Sequence, residues 1–166
     1  MNPSSNTENL SFLWDIHRNI NNNIRFCDGK AGLILAASGV VLSQLFKQIS
    51  DGTIKNNFQF VIFFICLFSL GGSFYLSFNS IFPRIKTGRP KGYIFWKHVV
   101  QYEIEEYSSI MKNLTMNDMI QELTVDIYEL AQVSNEKYVI VQRAVMALVL
   151  ALLLLITLHI SFFLPT

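Results

Sequence analysis

Three uncharged apolar stretches, separated by polar segments, dominate the pattern along this chain. Phe58–Phe82 has 25 residues without a charged side chain and Ala144–Pro165 has 22, whereas Ala31–Phe46 has only 16. A membrane-spanning helix needs about 20 predominantly apolar residues, and the shortest stretch would form a helix of about 24 Å. Lys30 and Lys47 bound that stretch, and their long side chains can extend to the headgroups on both sides. The pattern therefore predicts three membrane spans.

The polar segments that flank the spans show helical periodicity. Apolar residues recur at spacings of three and four before the first span (Leu10, Leu13, Trp14, His17, Ile20, Ile24 and Cys27) and before the third (Met116, Ile120, Leu123, Ile127 and Leu130). We expect the first helix to run straight into the first span and a single helix to cover residues 116–165. A further helix is predicted from near Tyr93 to about Met111. It is followed by a break, after which Thr115 or Asn117 caps the next helix.

These elements predict an all-α membrane protein in four parts. Residues 1–30 form an N-terminal cytoplasmic helix, residues 31–82 a two-span transmembrane hairpin, residues 83–138 a cytoplasmic helical hairpin, and residues 139–166 a third transmembrane helix. The orientation follows from the excess of Lys and Arg expected on the cytoplasmic side. That excess is found before the first span (Arg18, Arg25 and Lys30), after the second (Arg84, Lys86, Arg89, Lys91 and Lys97) and before the third (Lys137 and Arg143). The C-terminus then faces outward, unless the third helix stops short of crossing.

Composition and charge narrow the function classes. Only 15% of the residues are charged, against about 25% in soluble proteins. The net charge is +1 and the 13 basic residues are scattered, so nucleic acid is not expected as a partner. A set of acidic residues is predicted to form solvated helix faces: Glu103, Glu105, Glu106, Asp118, Glu122, Asp126 and Glu129.

The sequence carries no recognisable enzyme or metal motif. A nucleophile elbow, a P-loop, a dinucleotide fingerprint and a zinc-protease motif are all absent. His17, His98 and His159 fall in different elements, and Cys27 and Cys66 fall at different expected depths. We therefore expect no catalytic residue, no metal, no cofactor and no disulfide, and a protein that is not an enzyme.

Small residues in the first two spans indicate helix packing. Gly32, Ala36 and Gly39 lie in the first span, and the second has serines at every fourth position, Ser69, Ser73 and Ser77. Such spacing lets helix backbones approach closely in lipid. Packing within one protomer and packing between protomers both remain open.

Charged residues gather where the first and third spans meet the inner interface. Asp28 and Lys30 are costly in lipid unless they are paired or kept at headgroup level. Lys30 can act as a snorkelling anchor, and Lys137 or Arg143 can pair with Asp28. Either a structural anchor or a ligand or switch site fits this pattern. The candidates for such a site are Arg25, Asp28, Lys30, Trp96, Lys137 and Arg143, whose positive charges could bind a nucleotide phosphate.

The order of several short motifs resembles the Pycsar transmembrane effector family. The motifs are Asp28-Gly29-Lys30-Ala31 before a span rich in Ala and Gly, the aromatic cluster Tyr93–Trp96, Glu105-Glu106-Tyr107, Ile127-Tyr128-Glu129-Leu130-Ala131, and Lys137-Tyr138. The likeness extends over roughly residues 20–160. Many members have Ala before the Asp, where this chain has Cys27. Gly29 follows that Asp, and it loosens a helix by about 1 kcal/mol relative to Ala, which could mark a hinge.

The resemblance implies the effector arm of a bacterial antiphage system. In that family a companion pyrimidine cyclase makes cyclic CMP or cyclic UMP on infection, and the effector impairs the inner membrane so that the cell dies. The expected partners are the lipid bilayer, the cyclic pyrimidine nucleotide, the cyclase as a functional companion, and further copies of this chain. Two alternatives remain: a constitutive small channel or transporter subunit, and a membrane anchor that recruits a soluble partner.

Overall fold

The computed structural model describes residues 3–52, 54, 56–82, 92–94 and 96–161, and these residues are helical throughout apart from turns and short links. The helices are α1 (Pro3–Ser50), α2 (Asn57–Ile81), α3 (Trp96–Val99), α4 (Ile104–Asn113) and α5 (Met116–Ile160). Three of them, α1, α2 and α5, are long and apolar enough to cross a membrane. The prediction of an all-α fold with three such helices is confirmed.

The two longest helices each join a polar half to an apolar half. Helix α1 has 48 residues and α5 has 45, and neither is interrupted where its composition changes. The predicted run from the N-terminal helix into the first span is confirmed, as is the continuous helix that begins at residue 116. Helix α5 ends at Ile160, and residues 162–166 lie outside the described part of the chain.

The prediction of one helix from Tyr93 to Met111 is wrong, because the chain forms α3 and α4 with a break between them. The amide of Tyr102 donates to the carbonyl of Val99 at 3.2 Å, a tight three-residue turn that ends α3. Glu103 is then extended, with φ −68° and ψ 149°, and occupies the N-cap position of α4 without a capping hydrogen bond from its side chain. Two consecutive β-branched residues, Val99 and Val100, weaken the helix at this point.

The predicted break between Met111 and the next helix is confirmed, and Thr115 is the cap. Its hydroxyl oxygen accepts from the amide of Asp118 at 3.2 Å, while its own amide donates to Asp118 Oδ2 at 3.0 Å. This reciprocal capping box starts α5. The hydrogen bonds that Thr115 donates to the Asp118 carboxylate hold the pKa of that group below its usual value.

The chain divides into two compact units. The polar unit comprises Met1–Arg25 and Arg84–Asn135, and the span unit comprises Phe26–Pro83 and Glu136–Thr166. Helices α1 and α5 contribute residues to both units. The four-part division of the chain at residues 30, 82 and 138 stays a prediction.

The core of the span unit consists of two clusters of buried residues. One contains Val41, Leu45, Ile62, Phe63, Cys66, Leu70, Ala151 and Leu158, and the other contains Cys27, Ala31, Ile34, Val141 and Ala144. Large apolar side chains also point outward, and Phe68 is 78% exposed. An apolar exterior of this kind is costly in water and suits a lipid environment.

Serines of α2 contact the backbone of α5. Ser69 Oγ donates to the carbonyl of Ala147 at 2.7 Å, and Ser73 Oγ donates to that of Ala144 at 2.9 Å. Ser77 is buried, and Ser38 on α1 lies 3.4 Å from Ser73, Oγ to Oγ. The small serine side chains allow this close approach.

The small residues of α1 behave differently. Gly32, Ala36 and Gly39 are exposed, so they do not form a packing surface within the chain. The buried face of α1 is offset from them, because its inward positions are Ala31, Ile34, Ser38, Val41 and Leu45.

Candidate functional site

Asp28, at the start of the first span, forms an ion pair in the span unit with a buried lysine of α5. Lys137 Nζ on α5 donates to Asp28 Oδ1 on α1. The Lys137 side chain is 4% exposed and that of Asp28 is 38% exposed. A buried ammonium group is costly unless a counter-charge neutralises it, so this lysine depends on Asp28. Of the two predicted partners for Asp28, the structure selects Lys137.

The structure does not gather the rest of the predicted inner-interface set around this pair. Arg25, Lys30 and Arg143 are all exposed. Lys30 Nζ instead lies 4.2 Å from the ring centroid of Phe26, a cation–π contact on its own helix. Trp96 begins α3, and its side chain lies outside the described part of the structure. The ion pair is therefore the part of the candidate site that the described contacts assemble.

A second contact between an acidic and a basic side chain lies in the polar unit. Its acid, Asp126, is one of the residues predicted to be solvated. His17 Nε2 on α1 is 2.9 Å from Asp126 Oδ2 on α5, and the Asp126 side chain is only 9% exposed. The ring of Trp14 meets that of His17 edge-on at 5.4 Å between centroids. Burial raises the pKa of Asp126, and the His17 charge and hydrogen bond partly oppose that shift. Its spacing could have indicated that Asp126 is buried. It lies three residues after Leu123, one of the apolar residues that recur along α5.

Glu122, also expected to be solvated, holds the short segment before α3. Its Oε1 accepts from the amide of Tyr93 at 2.9 Å, and Tyr107 Oη donates to the carbonyl of Tyr93 at 3.0 Å. Gly92 is buried beside them, and a Cβ at this position would lie 2.5 Å from Glu122 Oε1 and 3.0 Å from His98 Nδ1. A side chain at this position would therefore require the Glu122 carboxylate to shift.

A cavity of about 330 Å³ opens beside this segment. All of its lining residues belong to the polar unit: Leu10, Trp14, Tyr93, Ile94, Tyr107, Met111, Leu114, Met119, Glu122 and Leu123. They are aromatic or aliphatic except for Glu122. A neighbouring cleft of about 550 Å³ shares Tyr93, Leu114 and Glu122 and adds polar groups from Ser109, Asn113 and Gln121. An apolar cavity with few polar groups is the usual form of a small-molecule site.

A family model described as the Pycsar effector protein domain matches residues 12–164. The chain belongs to the Pycsar effector family. The Pycsar effector protein SaPycTM of Staphylococcus aureus is 24% identical over 126 residues, which cover 75% of this chain and 77% of that relative. No solved structure matches the chain.

Family membership confirms the resemblance and identifies an antiphage defence effector linked to cyclic pyrimidine signalling. Together with its three apolar helices, it indicates a membrane protein. The matched region of this Pycsar effector includes the Asp28–Lys137 pair, the His17–Asp126 contact and every lining residue of the 330 Å³ cavity except Leu10.

Proposed function

We propose that this Pycsar effector impairs the bacterial inner membrane in response to cyclic CMP or cyclic UMP made by a companion pyrimidine cyclase, and so kills the infected cell. The observation that carries the proposal is a span unit with an apolar exterior and one buried ion pair, in a chain of this family. The protein acts without catalysis of its own, by a change in how its spans are arranged.

The proposed orientation places the N-terminus and residues 83–138 in the cytoplasm and the C-terminus outside. The excess of Lys and Arg before the first span and after the second supports it. Asp28 and Lys137 then lie near the inner face of the membrane. The polar unit faces the compartment in which a cyclase would release its product.

The Asp28–Lys137 pair is the proposed latch of the resting state. Helices α1 and α5 each carry one partner of this pair, and each also contributes to the polar unit. A ligand shifts such an equilibrium only if it binds the active state better than the resting state. A shift in the polar unit would therefore be transmitted along the two continuous helices to the latch.

The active form is proposed to be a homo-oligomer. Gly32, Ala36 and Gly39 lie on an exposed part of α1 and are not used in packing within the chain. Small residues at such spacing support close contact between helices in lipid. This exposed strip of α1 is the proposed contact between protomers.

Membrane potential in bacteria tests the proposal. The effector is expressed alone and together with a pyrimidine cyclase, either active or inactivated, and a potential-sensitive dye reports depolarisation. We expect depolarisation and cell death only with the active cyclase. Depolarisation without any cyclase would favour a constitutive channel, and none in either case would favour a membrane anchor that recruits a soluble partner.

One feature of the span unit supports keeping the channel alternative in this test. A cleft of about 430 Å³ is lined by polar residues near the ends of α1 and α5, including Gln44, Lys47, Gln48, Asp51 and His159. Gln44 and His159 lie within the apolar stretches, and polar groups in a membrane-spanning segment are often part of a transport path.

A further inference from the structure

We propose that the aromatic cavity of the polar unit binds the pyrimidine base of the activating cyclic nucleotide, with Glu122 accepting a hydrogen bond from the edge of the base. The inference rests on the proposed function and assigns the ligand site within it. The residues that it assigns to the ligand differ from the basic residues of the inner interface, for which the sequence alone suggested a phosphate contact.

The charge of the cavity determines which end of a nucleotide can enter. Glu122 is the charged residue among its described lining, and it is negative. A phosphate would be repelled by this carboxylate, whereas a neutral base would not. The volume of about 330 Å³ is at the lower end of small-molecule sites, which span about 300–1,000 Å³. Such a cavity suits a single-ring base and leaves the sugar and phosphate outside.

The walls of the cavity suit a flat aromatic ring. Trp14 from α1 and Tyr107 from α4 contribute rings, and Tyr93 contributes a third. Bases stack on aromatic side chains, and loss of one such ring typically weakens binding by about 10–100-fold. The hydrogen bond from Tyr107 Oη to the backbone carbonyl of Tyr93 fixes the position of the Tyr107 ring.

Glu122 is placed to accept a hydrogen bond from the edge of the base. One of its oxygens accepts from the amide of Tyr93, and this bond orients the carboxylate, which can accept several hydrogen bonds in total. Cytosine offers an amino group and uracil a ring N–H, and a carboxylate accepts from such donors. The neighbouring cleft offers hydroxyl and amide groups for the ribose from Ser109, Asn113 and Gln121, and its lining also includes the carboxylate of Asp118.

The cavity is also lined by the two helices, α1 and α5, that contribute to both units. Its lining comes from α1, α4 and α5, together with the segment before α3. A bound base would therefore contact both helices that continue into the span unit. Ligand binding at this position biases their arrangement directly, without a separate relay element.

Isothermal titration calorimetry on the full chain in detergent tests the assignment, with cyclic CMP, cyclic UMP and cyclic AMP as ligands. We expect at least one cyclic pyrimidine to bind and cyclic AMP to bind at least tenfold more weakly. Trp14→Ala removes a stacking surface, and Met111→Trp fills the cavity with a larger side chain. Each should weaken binding of the preferred pyrimidine by at least tenfold. Phe12→Ala, an aromatic residue on the same helix that is 65% exposed, is the matched control and should bind normally.

A second pair of variants isolates the carboxylate. Glu122→Gln keeps an acceptor for the amide of Tyr93 but loses the negative charge, and it should weaken binding about tenfold. Glu105→Gln alters an exposed acid on α4 and should have no effect. Circular dichroism verifies that each variant is folded. If Trp14→Ala unfolds, Met111→Trp decides the question, because it leaves the Trp14 ring in place and adds volume at the cavity wall.

The outcomes separate this inference from the proposed function. Normal affinity in folded Met111→Trp, or equal affinity for cyclic AMP, would overturn the base site. So would absence of nucleotide binding to a wild-type protein that still depolarises cells with the cyclase, because the signal would then be indirect. The proposed function would survive all three results. It fails only if the wild type causes no cyclase-dependent depolarisation.

Discussion

Among the described residues, the span unit and the polar unit each have a contact between an acidic and a basic side chain that joins α1 to α5, and the two contacts differ in which partner is buried. In the span unit the base is buried, because Lys137 is 4% exposed while Asp28 is 38% exposed. In the polar unit the acid is the more buried partner, at 9% for Asp126 against 19% for His17. A buried lysine keeps its positive charge when a counter-charge lies beside it, whereas burial favours the protonated, neutral form of a carboxyl group. The first contact therefore suits a latch, and the second responds to protonation.

Breaking the span-unit pair should have the largest effect on stability. Asp28→Ala leaves Lys137 buried without its counter-charge. The cost should be about 2–3 kcal/mol, less than the ~3–5 kcal/mol of a fully buried pair, because Asp28 is partly solvated. Thermal unfolding in detergent measures it, and cells should depolarise without the cyclase. Lys137→Met should cost less, since it leaves the more exposed partner behind. Equal costs for the two variants would contradict the asymmetry between the partners.

Adding a methyl group at Gly92 should also lower the stability of the protein, and the change is confined to the polar unit. Gly92→Ala would place a Cβ 2.5 Å from Glu122 Oε1, so the carboxylate must move. Because this oxygen is at the end of a flexible side chain, the cost should be near the lower end of the ~1–3 kcal/mol that overpacking causes. Gly71→Ala in the span unit is the control, because nothing lies within 4 Å of its Cβ position and Ala favours a helix. Thermal unfolding of both variants tests this, and a tolerated Gly92→Ala would show that the segment before α3 is not tightly held.

The protonation response of the polar unit should appear as a pH dependence of stability. Burial raises the pKa of Asp126, while His17 and His98 oppose the shift and Glu122 adds to it. A raised pKa means that the folded state binds the proton more tightly than the unfolded state does. This contribution is therefore full below the ordinary Asp value of 3.8 and is lost as the pH rises through the raised value. The melting temperature of the wild type minus that of Asp126→Asn should fall over this range.

Asp118 provides a control of opposite sign for that measurement. The hydrogen bonds from Thr115 lower the pKa of Asp118, so its contribution is present above the ordinary value and is lost on acidification. The melting temperature of the wild type minus that of Asp118→Asn should therefore rise with pH. The same sign for both variants would contradict the assigned cause.

The smallest expected effect concerns the hydrogen bonds between spans. Ser73→Ala removes the bond from Ser73 Oγ to the carbonyl of Ala144. Such bonds between helices in a membrane average about 0.6 kcal/mol. Unfolding of the purified protein in detergent measures the loss. Ser43→Ala, on an exposed part of α1 where the hydroxyl bonds only to the carbonyl of its own helix at Val40, is the control. A loss above about 2 kcal/mol would show that Ser73 does more than join α2 to α5.

Prediction from the sequence was reliable where the determining pattern is local. The continuity of α1 and of α5, and the cap at Thr115, follow from periodicity and from residues only a few positions apart. The sequence does not predict the break between α3 and α4. The three-residue turn at Tyr102 has little local sign beyond the low helix propensity of Val99 and Val100. Glu122 and Asp126 were read as solvated, because a charged residue on a helix gives no local sign of what packs against it.

The sequence by itself determined an all-α chain with three apolar helices and membership of the Pycsar effector family. Length and hydropathy depend on neighbouring residues alone. The order of the short motifs can be compared along the chain without knowing how the helices pack. Tertiary structure decided that Asp28 pairs with Lys137, that α1 buries Ala31 and Ile34 rather than Gly32 and Ala36, and that an aromatic cavity forms. These features join residues up to 109 positions apart. Which side chain is buried against which depends on how the helices rotate and pack, and no local pattern specifies that.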